Sequence, residues 1–438
     1  MRRNVYDKLL KWKDDPFRKP LIMQGARQVG KTYILKAFGK AEFKNMVYVN
    51  CHNNTFIDTL FAQDFDVQRI VRGLSAYSSK PIVPGETFVF LDEAQDSPNV
   101  VASLKYFCED MGQLHIAVAG SLLGLITHEG ESFPVGKVHI MHLYPMTFEE
   151  FLGGMHKEQL LELLRSGDWT LIDTLRGQYI ELLRQYYFVG GMPAPVLIYR
   201  ETQDLNRVRA EQRDIVESYY DDFTKHAARE APKIRQVWDS VPMQLSRENK
   251  KFIFGAVRKG ARAKEFETAI QWLIDAGLTY KVCSISKPTL PLRFYADADT
   301  FKLYMLDCGL MGAITSTPPA SILVGDNIFV EYKGAFTENY VAQQMAEFTD
   351  MPMYYYSKDN STMEIDFIVQ VSDRVLPVEV KAETSVKAKS FFNFINKDFK
   401  DLGLKGVRFS MLPYCDQEWM HNVPLYGVSA YMRSIGAE

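Results

Sequence analysis

The sequence predicts a multidomain α/β protein, and three observations support this prediction. The chain has 438 residues, which at roughly 150 residues per domain corresponds to about three domains. Residues 1–150 alternate short apolar runs with amphipathic stretches, as β-α units around a buried parallel sheet do. The C-terminal region shows one helical pattern followed by several strand patterns, which is typical of a separate small, mixed α/β domain.

Composition and charge exclude several classes of protein. The 47% hydrophobic and 24% charged residues lie at the globular average, which excludes disorder, collagen and coiled coil as descriptions of the whole chain. The formal net charge of -3 provides no whole-molecule attraction to nucleic acid or to an acidic membrane. The 5 cysteines are widely spaced and never form Cys-x-x-Cys, which argues against a disulfide framework and favours a reducing compartment.

We expect a soluble, cytoplasmic protein with no membrane segment. The N-terminus is charged and is not followed by the apolar segment of a secretory signal. The longest apolar stretch, Ile116–Ile126, is interrupted by Gly120 and Gly124 and is well short of the roughly 20 residues that span a bilayer. The sequence leaves the oligomeric state open.

The first predicted domain, residues 1–195, is a P-loop parallel-sheet domain. Its strands are predicted at Pro20–Gln24, Met46–Asn50, Thr87–Leu91, His115–Gly120 and Lys137–Tyr144. Its helices are predicted at Lys31–Gly39, Val67–Gly73 and Val100–Met111, with a further helix beginning at Phe148. The Gly190-Gly191-Met192-Pro193 cluster breaks the helical pattern that precedes it and places the domain boundary nearby.

The second predicted domain, residues 205–315, is helical with a winged-helix order of elements. Glu265–Ala276 carries apolar residues at helical spacing, and Gly277 suits the position that ends a helix. Leu278–Ile285 then resumes as a strand. Three helices followed by a strand and a returning segment are the order expected of a winged helix.

The third predicted domain, residues 325–438, is a small mixed α/β domain. It opens with a helix at Val330–Phe348. Its strands are predicted at Met353–Ser357, Met363–Val371, Val375–Ala382, Gly406–Met411 and Val423–Gly427.

A nucleotide-binding motif follows the first predicted strand. The residues Gly25-Ala26-Arg27-Gln28-Val29-Gly30-Lys31-Thr32 match the phosphate-loop pattern and lie between an apolar strand and a helix, the context that this motif requires. The glycines let backbone N–H groups surround phosphates, and the helix N-terminus favours their charge. Lys31 is expected to reach the β- and γ-phosphates, and the Thr32 hydroxyl is expected to bind Mg²⁺.

A pair of carboxylates ends the predicted strand Thr87–Leu91. Asp92 is expected to contact Mg²⁺, and Glu93 to polarise the attacking water as general base. Both strands end on one edge of a parallel sheet, where ligands bind. The alternative is a chance glycine turn and a solvated loop start, but two motifs in order, each behind a buried strand, favour nucleotide binding. No Asn-Lys-x-Asp segment selects guanine, so ATP is the predicted nucleotide.

Three further residues are candidates at this site. Ser121 follows the strand His115–Gly120 and is either a sensor of the γ-phosphate or the N-cap of a helix beginning at Leu122. Arg27 and Lys137 are candidates for the cation that completes such a site. Neither is assigned, because Arg27 could be only a neighbour of the phosphates and Lys137 only a surface charge.

A carboxylate-lysine pattern lies in the third domain. A two-residue loop near Ser372-Asp373 would place Asp366 directly opposite Glu379, and Lys381 would share the face of Glu379. Opposed like charges are destabilising, and bound Mg²⁺ would remove the repulsion. Such a site carries out metal-assisted phosphodiester hydrolysis. The alternative is an exposed hairpin with ordinary alternating charges.

A basic stretch crosses the second domain. Between residues 247 and 264 there are seven basic residues and one acidic residue, a local net charge of +6. The basic residues are Arg247, Lys250, Lys251, Arg258, Lys259, Arg262 and Lys264. On a winged helix this stretch would suit the phosphate backbone of DNA, and the alternative is a solvated helix face.

The order of these segments resembles the prokaryotic AAA-type ATPases that carry an uncharacterised C-terminal domain. The resemblance covers nearly the whole chain and includes Tyr144–Phe151 and the Gly190–Pro193 cluster. Phe301–Leu310 is similar to a further signature of these proteins.

The resemblance also implies a PD-(D/E)xK nuclease fold for the last domain. It maps the helix acid onto Glu338, the central acid onto Asp366 and the Glu-x-Lys motif onto Glu379 and Lys381.

The sequence thus predicts an ATP-hydrolysing protein whose nucleotide state controls a nuclease-like domain acting on DNA. The alternative is a nucleotide-operated switch or scaffold that binds a protein partner through a non-catalytic C-terminal domain. Salt-dependent DNA binding distinguishes the two.

Overall fold

The chain folds into two compact units. The computed structural model describes residues 2–120, 133–247, 250–319, 333–348, 351–358, 363–382 and 388–437. The N-terminal unit comprises Arg2–Tyr144 with Asp275–Gly277, and the C-terminal unit comprises Pro145–Ile274 with Leu278–Glu438. The predicted domains 1–195, 205–315 and 325–438 do not coincide with these units and stay a prediction.

The N-terminal unit contains a parallel sheet of the order β2-β3-β4-β1-β5. Its strands are β1 (Leu21–Gln24), β2 (Asn45–Asn50), β3 (Thr87–Asp92), β4 (His115–Ala119) and β5 (His139–His142). Its described helices are α1 (Val5–Asp14), α2 (Lys31–Glu42), α3 (Thr55–Gln63), α4 (Val67–Ser78) and α5 (Pro98–Asp110). This confirms the predicted parallel-sheet α/β fold.

The central strands form the core of this sheet. Every residue of β1, β3 and β4 is buried, as expected for a parallel sheet that is covered on both faces. All five observed strands lie within two residues of the predicted boundaries, and β5 is shorter than the predicted Lys137–Tyr144 by two residues at each end. Helices α1 and α3 had no predicted counterpart.

The first part of the C-terminal unit is helical. The described helices are α6 (Phe148–Gly154), α7 (Glu158–Ser166), α8 (Trp169–Thr174), α9 (Arg176–Val189), α10 (Pro193–Thr202), α11 (Leu205–His226), α12 (Ala231–Leu245), α13 (Phe254–Val257) and α14 (Ala263–Asp275). Later in the chain are α15 (Cys308–Ile314), α16 (Lys333–Met345), α17 (Lys389–Asn393) and α18 (Val428–Ser434).

A mixed sheet completes the C-terminal unit, with the order β12-β13-β11-β10-β9-β8-β6-β7. Its strands are β6 (Thr279–Ile285), β7 (Ala296–Met305), β8 (Met353–Ser357), β9 (Glu364–Val371), β10 (Arg374–Val380), β11 (Gly406–Ser410), β12 (Cys415–Asp416) and β13 (Met420–Pro424). Strand β6 pairs with β7 and also, in parallel, with β8. The sheet therefore continues across the predicted boundary between residues 315 and 325.

The hairpin of β9 and β10 has the predicted register. Residues Ser372 and Asp373 form the turn, and the paired residues run from Arg374↔Val371 to Val378↔Phe367. The next pair in this register is Glu379 opposite Asp366. Continued by one residue, the observed register therefore agrees with the predicted placement of these two carboxylates.

Asp307 joins two of the signature segments inside the C-terminal unit. Its buried carboxylate accepts hydrogen bonds from the backbone N–H groups of Gly191 and Leu310, at 2.6 and 3.0 Å. Gly190 has φ +75°, and a Cβ atom there would lie 2.2 Å from Asp307 Oδ1. Gln343 on α16 donates to the same carboxylate at 2.9 Å. These contacts fix α16 against the preceding helices.

Two general expectations can be compared with the structure. All of the cysteines are free thiols. Within the described ranges, no helix combines the length and the apolar character needed to cross a bilayer.

Candidate nucleotide site and C-terminal carboxylate cluster

The predicted phosphate loop connects β1 to α2 at the carboxyl edge of the parallel sheet. Ala26 and Val29 are buried beneath the loop, whereas Arg27 is half-buried and Gln28 is exposed. Gly25 has φ +150°, and a Cβ atom there would lie 2.2 Å from the carbonyl oxygen of Leu143. Only glycine fits this close approach, so a steric constraint explains why the first residue of the motif is glycine.

Lys31 is the first residue of α2 and points back into its own loop. Its ammonium group donates to the carbonyl oxygens of Gly25 and Ala26, at 2.7 and 2.9 Å. Burial lowers the pKa of Lys31 to about 8, although the nearby Glu93 and Asp92 carboxylates oppose this shift. The ammonium is thus held inside the loop by neutral carbonyl groups.

Asp92 ends β3 and lies beside Thr32. The Thr32 hydroxyl is hydrogen-bonded to the Asp92 carboxylate, and the Tyr48 hydroxyl donates to Asp92 Oδ2 at 3.3 Å. Burial raises the pKa of Asp92, and the hydrogen bond from Thr32 opposes the shift. Tyr48 was missed by the sequence reasoning. It lies two residues before the end of the neighbouring strand β2, where its partner is Phe90.

Glu93 follows β3 in a left-handed backbone conformation, with φ +53°. Such conformations cost free energy in residues other than glycine and occur preferentially at functional sites. Gln95 Nε2 donates to Glu93 Oε2 at 2.6 Å. Gln95 is therefore a second residue that the sequence reasoning missed, and it fixes the direction of the Glu93 side chain.

The structure gives different results for the three other residues predicted at the nucleotide site. Ser121 lies outside the described residues. Lys137 forms an ion pair with Glu109 at 2.8 Å. Arg27 is half-buried within the loop itself. The structure assigns neither cation to catalysis.

The donor groups at this edge suit a magnesium nucleotide. A hydroxyl and a carboxylate are hard oxygen ligands, which Mg²⁺ takes together with waters and phosphate oxygens. Thr32 and Asp92 would hold the cation, and Lys31 would bind phosphate. Bound Mg²⁺ neutralises phosphate charge during transfer.

The four predicted residues of the C-terminal cluster lie close together. Glu338 is on α16, Asp366 is on β9, and Glu379 and Lys381 are at the end of β10. Lys381 Nζ is 2.6 Å from Glu379 Oε1. Asp366 Oδ2 accepts a hydrogen bond from the backbone N–H of Val380 at 2.7 Å. Their catalytic and metal-binding roles stay predictions.

Two lysines that the sequence reasoning did not assign to this cluster complete it. Lys250 forms an ion pair with Glu338 Oε1. Lys302 on β7 is fully buried and lies 2.5 Å from Glu364 Oε1. The Tyr304 hydroxyl is 3.3 Å from Glu338 Oε2. These partners are distant in sequence, and no local pattern identifies them.

The buried charges shift one another's pKa values. Burial alone would raise the pKa of Glu338, but the Lys250 and Lys302 ammonium groups outweigh burial and lower it. Burial raises the pKa of Asp366 well above its usual range, and the neighbouring Glu338 and Glu379 carboxylates raise it further. Asp366 is therefore the member of the cluster that most readily holds a proton.

This arrangement does not fit a divalent cation. Among the described residues, no group of three or more His, Cys, Asp and Glu side chains is arranged to hold a metal ion. Glu338, Glu364 and Glu379 each pair with a lysine. Glu379 is compensated by Lys381, whereas Asp366 accepts the backbone N–H of Val380, and the binding of Mg²⁺ by Asp366 and Glu379 stays a prediction.

The basic stretch divides into paired and exposed residues. Lys250 is turned inward onto Glu338, and Arg258 pairs with Glu265 at 2.5 Å. Besides Arg258, the exposed cations of the stretch are Arg247, Lys259, Arg262 and Lys264, and Lys251 is half-buried. The net charge available to a partner is therefore lower than the sequence count indicates.

Comparison with family models identifies the first part of the chain. Residues 17–152 match a model described as an AAA domain. The N-terminal unit carries an AAA-type P-loop domain. The match includes the phosphate loop, Asp92 and Glu93, so the AAA domain contains the whole described nucleotide site. Residues 180–321 and 333–425 match two domains of unknown function, DUF8612 and DUF4143, and neither match assigns an activity.

Several solved structures are distantly similar to this chain. The ORC1 protein of Aeropyrum pernix in complex with DNA is 14% identical, with 74% of this chain and 95% of that chain covered and a TM-score of 0.28. Cdc6p of Pyrobaculum aerophilum is 12% identical, with coverages of 72% and 94% and a TM-score of 0.26. Protein VC1899 of Vibrio cholerae is 10% identical, with coverages of 95% and 99% and a TM-score of 0.20. Comparison with curated protein sequences found no significant match.

Proposed function

We propose that this chain binds and hydrolyses ATP with Mg²⁺ at the loop Gly25–Thr32. One observation carries the proposal: the Lys31 ammonium, the Thr32 hydroxyl and the Asp92 carboxylate meet at the carboxyl edge of a parallel sheet, with Glu93 next to them. A cation and hard oxygen ligands at the start of a helix are the groups that a magnesium triphosphate needs.

Each side chain has a distinct role in this proposal. Lys31 exchanges its carbonyl partners for phosphate oxygens, a stronger charge-assisted interaction. Glu93 accepts the proton of the attacking water as general base. Gln95 holds the Glu93 carboxylate in place at 2.6 Å and is a positioning residue.

The Glu93→Gln variant tests hydrolysis separately from binding. Because the amide cannot accept the proton, we expect phosphate release to fall by about 10²- to 10⁴-fold while ATP still binds. The control is Glu86→Gln, which changes an exposed glutamate paired with Lys44 before β3. Phosphate release by Glu93→Gln equal to that of the wild type would exclude Glu93 as the base.

We also propose that the nucleotide state controls a nuclease-like C-terminal domain that acts on DNA. The convergence of Glu338, Asp366, Glu379 and Lys381 in one buried cluster supports this proposal. The exposed cations of residues 247–264 would contact the phosphate backbone. Phosphate release and DNA scission, scored together with and without ATP on the wild type, test the proposal.

A second candidate function is a nucleotide-operated switch or scaffold that binds a protein partner. The observation that favours it is the lysine partner of each glutamate in the cluster, because paired charges can serve a purely structural purpose. This candidate predicts no DNA binding above background at any salt concentration.

A further inference from the structure

We infer that Lys250 is the resident cation of the C-terminal carboxylate cluster and excludes divalent cations from Glu338. This inference rests on the proposed nuclease-like role of the C-terminal domain, since metal-assisted phosphodiester hydrolysis would need a divalent cation at these carboxylates. It assigns to Lys250 a role in the selectivity of that site, rather than in binding DNA with the rest of the basic stretch.

Both oxygens of Glu338 are already engaged. Lys250 Nζ contacts Oε1, and the Tyr304 hydroxyl donates to Oε2 at 3.3 Å. The Glu338 side chain is only 5% exposed, so water does not compete for these oxygens. A divalent cation that binds Glu338 would therefore meet the Lys250 ammonium or the Tyr304 hydroxyl at the same oxygen, and the ammonium would repel it.

Glu338 cannot turn away from these partners, because its helix is fixed to β7. The neighbouring residue Asn339 accepts a hydrogen bond from the backbone N–H of Met305 at 2.7 Å and donates to the Met305 carbonyl at 3.1 Å. Tyr304 itself lies on β7. The position of Glu338 is therefore set by the fold, and any rearrangement has to occur on the lysine side.

Without a metal ion the cluster carries a single net negative charge, because four carboxylates face three ammonium groups. Its carboxylates are Glu338, Glu364, Asp366 and Glu379, and its ammonium groups are Lys250, Lys302 and Lys381. A divalent cation added to this set would leave an excess of positive charge in a buried volume, which is strongly unfavourable. One ammonium group must leave before the cation enters.

Lys250 is the ammonium group that has to leave Glu338. Lys302 is 0% exposed and lies within a strand, and Lys381, whose side chain is 38% exposed, pairs with Glu379 and not with Glu338. Lys250 lies between α12 and α13, outside helices and strands, and its side chain is 18% exposed. Two residues after Lys250, the backbone N–H of Phe252 donates a hydrogen bond to the carbonyl oxygen of Phe301 on β7 at 2.8 Å. This bond attaches the segment that carries Lys250 to the sheet.

Removal of the Lys250 charge should therefore open the site. The test is a titration of the nucleotide-free full chain with Mn²⁺, in which electron paramagnetic resonance counts the free ions. We expect no Mn²⁺ to bind at the cluster of the wild type. Lys250→Met should gain one site with an affinity at least about tenfold higher than any wild-type site, and adding Asp366→Asn should abolish the gain.

The matched control is Lys264→Met, which removes an exposed charge from the same basic stretch and should behave as the wild type. Equal Mn²⁺ binding by the wild type and a folded Lys250→Met would overturn the inference. If Lys250→Met does not fold, Lys250→Gln removes the charge and keeps a hydrogen-bond donor. The wild type alone also tests the inference, because a bound Mn²⁺ ion that Glu379→Gln removes would contradict it.

The readout is cation binding, so the inference and the nuclease proposal fail separately. A Lys250→Met variant that gains Mn²⁺ but cuts no DNA supports the role of Lys250 and contradicts the nuclease. A wild type that cuts DNA with Mn²⁺ bound at the cluster supports the nuclease and overturns the role of Lys250.

Discussion

Individual side chains at the nucleotide site could be predicted because their motif is local. Gly25, Lys31 and Thr32 lie within one short segment, and the physical reason for each is visible in that segment. The lysines of the C-terminal cluster could not be predicted in this way. Lys250 and its partner Glu338 are 88 residues apart in the sequence, and only the fold brings them together.

His115 makes the stability of the N-terminal unit depend on pH. It lies in β4, packed against Trp12 and Phe43 with ring centroids 5.7 and 4.8 Å away, and burial lowers its pKa. The folded protein therefore disfavours the imidazolium form. The stabilisation that neutral His115 gives to the folded protein is fully present above the pKa of an unfolded histidine, about 6.5. It is lost as the pH falls from that value through the lower pKa of His115 in the folded protein.

When the pH is lowered from 7.5 to 5.5, we expect the urea concentration at half-unfolding to decrease more for the wild type than for His115→Gln. The glutamine of this variant carries no titratable group. The variant acts as its own control, because all other titrating groups are shared. Equal falls in the two proteins would show that His115 does not contribute.

At the scale of elements, apolar runs predicted most strands, and pairing with the neighbouring strand determined the exact bounds. The predicted Thr87–Leu91 is extended by one residue to Asp92, because Asp92 continues the pairing with β2 at Asn50. The C-terminal half of β7 could not be predicted from an alternation of apolar and polar residues. Its residues Phe301–Met305 are all buried, since helices α12 and α16 both pack against this strand.

Asp307 is the residue on which the packing of these elements depends most directly. Replacing it by alanine leaves the N–H groups of Gly191 and Leu310 and the Gln343 amide buried without their acceptor. At about 1–3 kcal/mol for each unsatisfied group, we expect Asp307→Ala to lower the free energy of unfolding by about 3 kcal/mol or more.

Chemical denaturation measures this change, and Asp299→Ala is the matched control. Asp299 is an exposed residue of β7, so its replacement should change the free energy of unfolding by no more than about 0.5 kcal/mol. A similar, small effect of both substitutions would mean that Asp307 does not hold the helices together.

At the scale of the whole molecule, the sequence predicted an AAA-type domain and a mixed sheet. It did not predict that strands from both sides of the boundary at residues 315–325 share that sheet. Pairing between β6 and β8 joins segments separated by the residues of β7, α15 and α16. Propensity and periodicity report local structure, so they carry no information about such a pairing.

DNA binding by the exposed part of the basic stretch would depend on salt. Each phosphate contact contributes about 0.9 to the slope of log affinity against log salt concentration. Lys259 and Arg262 are exposed, so replacing both by glutamine should reduce that slope by about 2, as measured by fluorescence anisotropy with labelled duplex DNA.

The control is the double replacement of Lys11 and Lys40 by glutamine, which removes the same charge from exposed positions in the N-terminal unit. An equal reduction in both variants would indicate a general effect of net charge. An unchanged slope after replacement of Lys259 and Arg262 would place any DNA contact elsewhere.

The most direct test of ATP binding at Gly25–Thr32 is a titration of a fluorescent ATP analogue with Mg²⁺ into the wild type, Lys31→Ala and Lys40→Ala. Lys31 would provide a charge-assisted bond to phosphate, worth about 1.5–3 kcal/mol, so its loss should weaken binding by about 10- to 100-fold. Lys40 is exposed near the other end of α2, and its replacement should leave the affinity unchanged. Equal affinity in all three proteins would contradict the assignment of the nucleotide site.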